Sequence, residues 1–425
     1  MASIKPFKAL RPISEKVYEV SSKPYESLSV DQLKKEFEEH FYSIINIVRP
    51  NINLTKDFGD DDEIIYDQAR FNLLRLIKDG VMRDDDKKSY YIYQQRIKDE
   101  VKTCFLGLCS VEDYQNEIVK KHEMTLPKKE EKIIAYTRRV EVQPAPVFLT
   151  YPQVPEIDAL LENEKANHAP LYDFTTSSGN QHTIWRIAQE DVVAKLGKLF
   201  QQEVPALYIA DGHHRAASAL RWAKLRRATN PMHKGEESYN YFFSVFFPSN
   251  QIDILDYNRV VKDLNGNDPK QLIEKISHFF EVKKCAGSFK SSKLHEIGMY
   301  LAGQWYSLTP KSGIYNESNV VDSLDVSILQ NNLLDPILGI SDPRTDKRID
   351  FVSGRKGMKG ITSKVDEGDF EVAFALYPVS IQQFFDIADS GNIMPPKSTW
   401  FEPKLRTGVV VRRMLDGLAW LPKVK

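Results

Sequence analysis

Short apolar runs and amphipathic segments alternate along the chain, the texture of a protein built from both helices and strands. Residues 31–40 and 67–78 carry apolar side chains at helical spacing; in the second, Ala69, Leu73, Leu76 and Ile77 share a face. The aromatic cluster 90–93 reads as a strand and the apolar run 104–109 as a buried one. Ser110, with Glu112 and Asp113 after it, marks a helix start. That helix is expected to reach about Lys121 and to deliver His122-Glu123-Met124-Thr125 at its C-terminal end. Strand, helix, strand and helix follow at 147–151, 156–165, 182–187 and 189–201, and 240–247 is an aromatic strand. From Ile254 the texture changes. A turn at 262–266 precedes a helix at 269–279, strands near 281–284 and 305–308, and a helix at 324–334. A strand at 371–377 and a helix at 380–390, closed by Gly391, complete the pattern.

One junction in this pattern carries unusual chemistry. The apolar run ending at Ala210 reads as a buried strand, and the alanine- and leucine-rich segment after Arg215 reads as a helix. Between them stand Asp211, Gly212, His213, His214 and Arg215. A helix N-terminus presents backbone N–H groups and partial positive charge, so it favours anions. Two imidazoles and a guanidinium in its first turn suit phosphate. The plainer reading is an Asp-Gly turn in which Asp211 caps the helix.

Composition narrows the field without naming a function. The 425 residues allow two or three domains. With 58 basic and 59 acidic residues, net charge is −1, which leaves no global footprint for nucleic acid or an anionic membrane. No apolar stretch approaches the ~20 residues that span a bilayer. The start, Met1-Ala2-Ser3-Ile4-Lys5-Pro6, lacks the apolar core of a signal peptide, so a cytoplasmic protein is expected. Cys104, Cys109 and Cys285 have no metal-ligand spacing, and the first two read as buried free thiols.

Other stretches add candidates. Acidic clusters at 60–62 and 84–86 read as solvated turn tips, and Arg221, Lys224, Arg226 and Arg227 as a solvated helix face. Residues 342–351 alternate acid and base, and Ser353-Gly354-Arg355-Lys356-Gly357 offers glycines and cations to an anion, though it is no phosphate loop of the G-x-x-x-x-G-K-S/T kind. Pro395, Pro396 and Pro403 exclude regular structure, which leaves Lys397, Ser398 and Thr399 on a stiff loop able to hold phosphate or carboxylate.

Three of these stretches together carry a resemblance. The Asp211-Gly212-His213-His214-Arg215 box resembles that of free-serine kinases in the ParB–sulfiredoxin superfamily. His122-Glu123 is similar to the His-Glu pair upstream of the box in the archaeal enzymes, and Lys397-Ser398-Thr399 to their C-terminal Pro-Lys-Thr-Thr segment. The whole chain also resembles a bacterial family catalogued as a domain of unknown function, through Pro6-Phe7-Lys8-Ala9-Leu10-Arg11-Pro12, residues 210–215, 342–351 and 394–405.

The resemblance implies an α+β fold with a ParB/sulfiredoxin-like core that carries the box, elaborated by N-terminal and C-terminal α+β segments. The expected division is 1–110, an N-terminal α+β segment; 111–250, the core; and 251–425, a C-terminal α+β domain completing the site. It implies phosphoryl transfer to free L-serine, giving O-phospho-L-serine, with Mg2+ and with ATP, ADP or pyrophosphate as donor. Glu123 is then the general base, and Asp211 orients the helix start or holds Mg2+. His213 joins these as a catalytic group, while Gly212, His214 and Arg215 bind phosphate. His122, Thr125, Lys397, Ser398 and Thr399 are assigned to substrate. No nucleic acid or membrane partner is expected, and the oligomeric state is open. The rival readings are a ParB-like nucleotide-dependent DNA-binding or regulatory module, a sulfiredoxin-like redox enzyme and a small-molecule sensor. Near-neutral charge and the lack of an evident helix-turn-helix oppose the first. Residues 200–230 contain no cysteine, which opposes the second.

Overall fold

Tyr90–Ile97 and Glu100–Ser110 form an antiparallel hairpin that puts Tyr91 opposite Leu106 and Tyr93 opposite Cys104. In the computed structural model, which describes residues 1–53 and 63–414, this hairpin lies at the middle of a nine-stranded mixed sheet. The acidic cluster 60–62 lies outside the described residues. From one edge the order is Val119–Lys120, Leu207–Asp211, Val147–Tyr151, Tyr241–Pro248, Glu100–Ser110, Tyr90–Ile97, Gln181–Ile187 and Tyr172–Thr175, with Ile4–Lys5 paired to Glu100–Ser110. The aromatic content of these strands builds the core. Phe105 stacks on Phe246 at 4.9 Å, and Phe200 from the helix Glu190–Glu203 meets both edge-on. Each such ring contributes about 1.5–3 kcal/mol by leaving water. Cys104 and Cys109 are buried free thiols in this core, as expected.

One expected element is different. The helix that opens at Ser110, whose hydroxyl accepts from the Glu112 N–H, stops at Gln115 instead of reaching Lys121. Glu117 adopts a left-handed backbone (φ 58), and the chain turns into the two-residue strand Val119–Lys120. That strand runs parallel to Leu207 and Tyr208, so His122 and Glu123 leave the end of a strand rather than a helix.

By contacts the chain forms two compact units: Met1–Ile252 with the described residues from Pro403 on, and Asp253–Glu402. Within the first, a four-stranded sheet joins Met82–Asp84, Ala9–Pro12, Val411–Arg413 and Val142–Gln143. The helices Glu63–Lys78 and Pro127–Val140 pack beside it around Leu73, Leu76, Val140 and Val411.

The second unit is a six-stranded antiparallel sheet, Phe280–Lys284, Gln304–Pro310, Ile297–Leu301, Val372–Ala375, Tyr257–Val261 and Ile349–Ser353. Helices Pro269–Ile276, Gly357–Asp366 and Ile381–Asp389 accompany it. The acid–base alternation of 342–351 is satisfied locally, Arg344 pairing with Asp342 and Arg348 with Asp346. Gly354 lies directly over Asp256, whose carboxylate a Cβ would strike. A carboxylate at that spot repels an anion, so Gly354 serves backbone approach there, while Gly357 takes a left-handed φ of 62. Among the described residues no helix is long and apolar enough to cross a membrane.

Candidate active site

Leu207–Asp211 is buried up to its last residue, where pairing with Val147–Tyr151 slips between Ile209 and Asp211. Gly212 then takes φ 98 and ψ 28 and becomes the N-cap of the helix His213–Thr229, with no side-chain cap. Asp211 therefore does not cap the helix. A Cβ on Gly212 would lie 2.7 Å from Arg215 Nε, so the missing side chain is what lets the guanidinium fold back over the turn. The Asp211 carboxylate, half-exposed, accepts from Lys404 Nζ at 2.9 Å and has Arg215 Nη2 at 3.9 Å. Partial burial pushes this carboxyl up, but Lys404 and Arg215 outweigh that and hold it below the usual carboxylate range.

The edge strand carries residues 122–126 across the helix start. The His122 N–H donates to His213 Nε2 (3.4 Å), and the Leu126 N–H donates to His214 Nε2 (3.1 Å). An imidazole nitrogen that accepts an amide proton carries none of its own, so both rings are neutral and protonated on Nδ1. His213 is 3% exposed, and burial, with His122 nearby, depresses its pKa well below the ordinary histidine value. Burial lowers that of His214 as well. The His122 ring meets the His213 ring edge-on at 4.5 Å, and its own pKa is lowered by burial to about 4. His213 Nδ1 points at Glu123 Oε2, 3.5 Å away. Glu123 itself is 46% exposed at the side chain.

Glu123 and residues 211–215 open onto one cleft of about 590 Å3, a size typical of small-molecule sites. Its lining also includes the apolar and aromatic side chains Tyr25, Val48, Pro50, Ile65, Tyr66 and Tyr136, while Arg49, which lies 5.0 Å over the Tyr25 ring, and Lys129 and Lys132 add cations. Tyr66 and Tyr136 meet edge-on at 6.1 Å. Two expected substrate residues of this segment are otherwise engaged. His122 is 4% exposed and does not line the cleft, and the Thr125 hydroxyl donates to Glu130 at 2.7 Å. Among the described residues no group of three or more His, Cys, Asp or Glu side chains converges as a metal site. Mg2+ favours six oxygen ligands, whereas Asp211 offers one carboxylate already facing two cations. These residues do not make a resident metal site.

Lys397, Ser398 and Thr399 belong to the second unit. Lys397 is exposed with φ 56, its ammonium 5.7 Å from the Tyr257 ring centre, and the buried Ser398 hydroxyl donates to Pro395 O at 2.6 Å. Their loop is clamped by Arg259, a 2%-exposed guanidinium that donates to the carbonyls of Tyr257, Pro396 and Lys397. Burial pushes its pKa down. Neither Arg259 nor Lys404 had been singled out from sequence. Lys404 does fall in the 394–405 stretch that marks the family resemblance, which was the available signal.

The profile of a family described as "Protein of unknown function (DUF1015)" matches residues 4–327, and the chain belongs to that family. No curated protein matches it. Among solved structures it is similar to a conserved hypothetical protein from Pyrococcus furiosus (11% identity, 69% of this chain and 89% of that one, TM-score 0.34). It is also similar to a free serine kinase in complex with AMP (13% identity, 71% and 91%, TM-score 0.35). A third likeness is to a C-terminally truncated SbnI from Staphylococcus aureus (12% identity, 72% and 87%, TM-score 0.37).

Proposed function

We propose that this member of the DUF1015 family phosphorylates the hydroxyl of free L-serine, on a ParB/sulfiredoxin-like core. The observation that carries the reading is the meeting of Glu123 with the start of the His213–Thr229 helix in one cleft. A half-exposed carboxylate beside an anion-favouring helix start is what phosphoryl transfer to an alcohol requires: one group to take the hydroxyl proton, and fixed donors for the phosphate.

In this reading the serine oxygen attacks the terminal phosphorus of the donor and its proton passes to Glu123. The bond from that phosphorus to the bridging oxygen breaks, and its electron pair leaves with the departing phosphate group. Arg215 and the first-turn N–H groups stabilise the charge that develops on the phosphoryl oxygens. His213, neutral and buried, supports Glu123 through Nδ1–H, while His214 is tied to the Leu126 backbone on the same wall. Lys397, Ser398 and Thr399 are assigned to substrate, following the family resemblance. Mg2+ would be carried by the donor as the counter-ion of its phosphates and would offset their charge, with no residue of the cleft assigned to hold it.

The apolar wall bears on the donor. Pyrophosphate has no surface to place against Tyr25, Tyr66 and Tyr136, whereas a nucleoside base does. That favours ATP or ADP over pyrophosphate. The decisive experiment incubates purified protein with L-serine, Mg2+ and each donor in turn and looks for O-phosphoserine. Product with a nucleotide, lost in Glu123→Gln at unchanged melting temperature, supports the reading. No product with any donor sinks it.

A further inference from the structure

The corner where the buried strand meets the helix holds a carboxylate, a guanidinium and an ammonium brought back from far along the chain. Lys404 lies 193 residues after Asp211, and its side chain is 19% exposed. Its ammonium sits 2.9 Å from Asp211 Oδ2, and Arg215 Nη2 sits 3.9 Å from Oδ1. One carboxylate therefore faces two cations. Both box histidines are neutral by their hydrogen bonds, and the helix start adds about half a positive charge. Glu123 adds a second carboxylate 3.5 Å from His213, so Lys404 and Arg215 are matched by two acids, and the positive excess comes from the helix start and from Lys129 and Lys132 in the same cleft. The helix start, Arg215, Lys404 and the cleft lysines together favour an anion there over a further cation.

We propose that Lys404 is a phosphate-binding residue of this site and that Asp211 is its holder rather than a metal ligand. The ligand class is a diphosphate group, either free pyrophosphate or the phosphate tail of a nucleotide. This rests on the reading that the Asp211–Gly212–His213–His214–Arg215 turn binds phosphate. A lysine loses much side-chain freedom when it grips an anion. Asp211 has already restricted it in the free protein, as it has drawn in the guanidinium that Gly212 admits. The two cations then flank the helix start from opposite oxygens of one carboxylate.

The test measures binding to the full-length protein by calorimetry, with pyrophosphate and with ADP, each with and without Mg2+. Lys404→Met is expected to weaken both ligands by about tenfold or more, the scale of one charged hydrogen bond. Lys404→Arg is expected to recover most of the loss, and the melting temperature to stay unchanged. Lys404→Gln, which still hydrogen-bonds Asp211, replaces the methionine variant if that one unfolds. Asp211→Asn should weaken binding to the same extent with and without Mg2+. Wild-type affinity in Lys404→Met, or a loss in Asp211→Asn confined to Mg2+-containing samples, overturns the assignment. A wild-type protein that binds neither ligand overturns the phosphate site itself. Binding that requires Lys404 without any phosphoserine formation keeps this assignment and removes the kinase.

Discussion

His213 Nδ1 stands 3.5 Å from Glu123 Oε2 while His213 Nε2 takes the N–H of His122, so one buried imidazole is engaged by two consecutive residues of the edge segment. The backbone amide fixes the tautomer, and the tautomer puts a proton in front of the carboxylate. His213→Phe keeps the ring volume and removes both contacts. We expect kcat for serine phosphorylation to fall about ten- to hundredfold, less than the 10²–10⁴ of losing a general base, with the donor KM changed little. Steady-state kinetics on the two variants, His213→Phe and Glu123→Gln, checks the ranking.

The buried histidines make folding acid-sensitive. His122 is neutral in the folded protein down to about pH 4, whereas in the unfolded chain it takes its proton near 6.5. Between those values the unfolded state binds more protons, so stability is fully present above pH 6.5 and drains away as pH falls toward 4. The shift from 6.5 to about 4 corresponds to about 3 kcal/mol at the bottom of that window. His213, shifted in the same direction by burial, adds to it. Melting temperatures from pH 7 to 4 should drop steeply in the wild type and less steeply in His122→Gln. Parallel curves would remove His122 as a source.

Gly212→Ala tests the turn. Alanine at φ 98 costs about 1–2 kcal/mol, and its methyl group would displace the Arg215 guanidinium from which it would stand 2.7 Å. Urea titration should show that loss of stability, and donor KM should rise as far as in an Arg215→Met variant measured alongside. An alanine variant with wild-type KM would mean that the guanidinium position does not matter to the donor.

In the second unit, Arg259→Met should loosen the loop that carries Lys397. Stability should change little, because removing a buried charge offsets the lost hydrogen bonds. The carbonyls of Pro396 and Lys397 lose their donor. Amide hydrogen exchange at Lys397, Ser398 and Thr399 should then quicken about tenfold or more, the equivalent of one such bond. Unchanged exchange would assign Arg259 to sheet packing alone. If the loop holds serine, KM for serine rises in the same variant.

Local signals read well from the sequence, and pairings across long separations did not. The helix 67–78 extends from Glu63 to Lys78, Ser380 caps its helix through Gln383 N, and Gly391 closes it with φ 71. Ser110 did start a helix, but propensity could not tell where it ends. Val119–Lys120 is a strand only because Leu207 and Tyr208, nearly ninety residues on, lie beside it. The helix Pro127–Val140 was hidden by the charged run Lys128-Lys129-Glu130-Glu131-Lys132, and its apolar residues find their partners on Glu63–Lys78 and in the core beside the His213–Thr229 helix. At the site, the chemistry of residues 211–215 was visible and its electrostatics were not. Neutral histidines follow from two backbone amides, and the state of Asp211 follows from a lysine 193 positions away.

The order of synthesis gives that lysine another meaning. Glu123, Asp211 and Arg215 have all been synthesised once the His213–Thr229 helix is made, yet Lys404 follows only after all of Asp253–Glu402. Val411–Arg413 arrives later still to join Ala9–Pro12 and Val142–Gln143. A nascent or truncated chain ending inside the second unit would display the histidines and Arg215 without the ammonium. Completion of the Asp211 corner is in this way a late event in the life of each molecule, and unfinished copies lack its Lys404 ammonium.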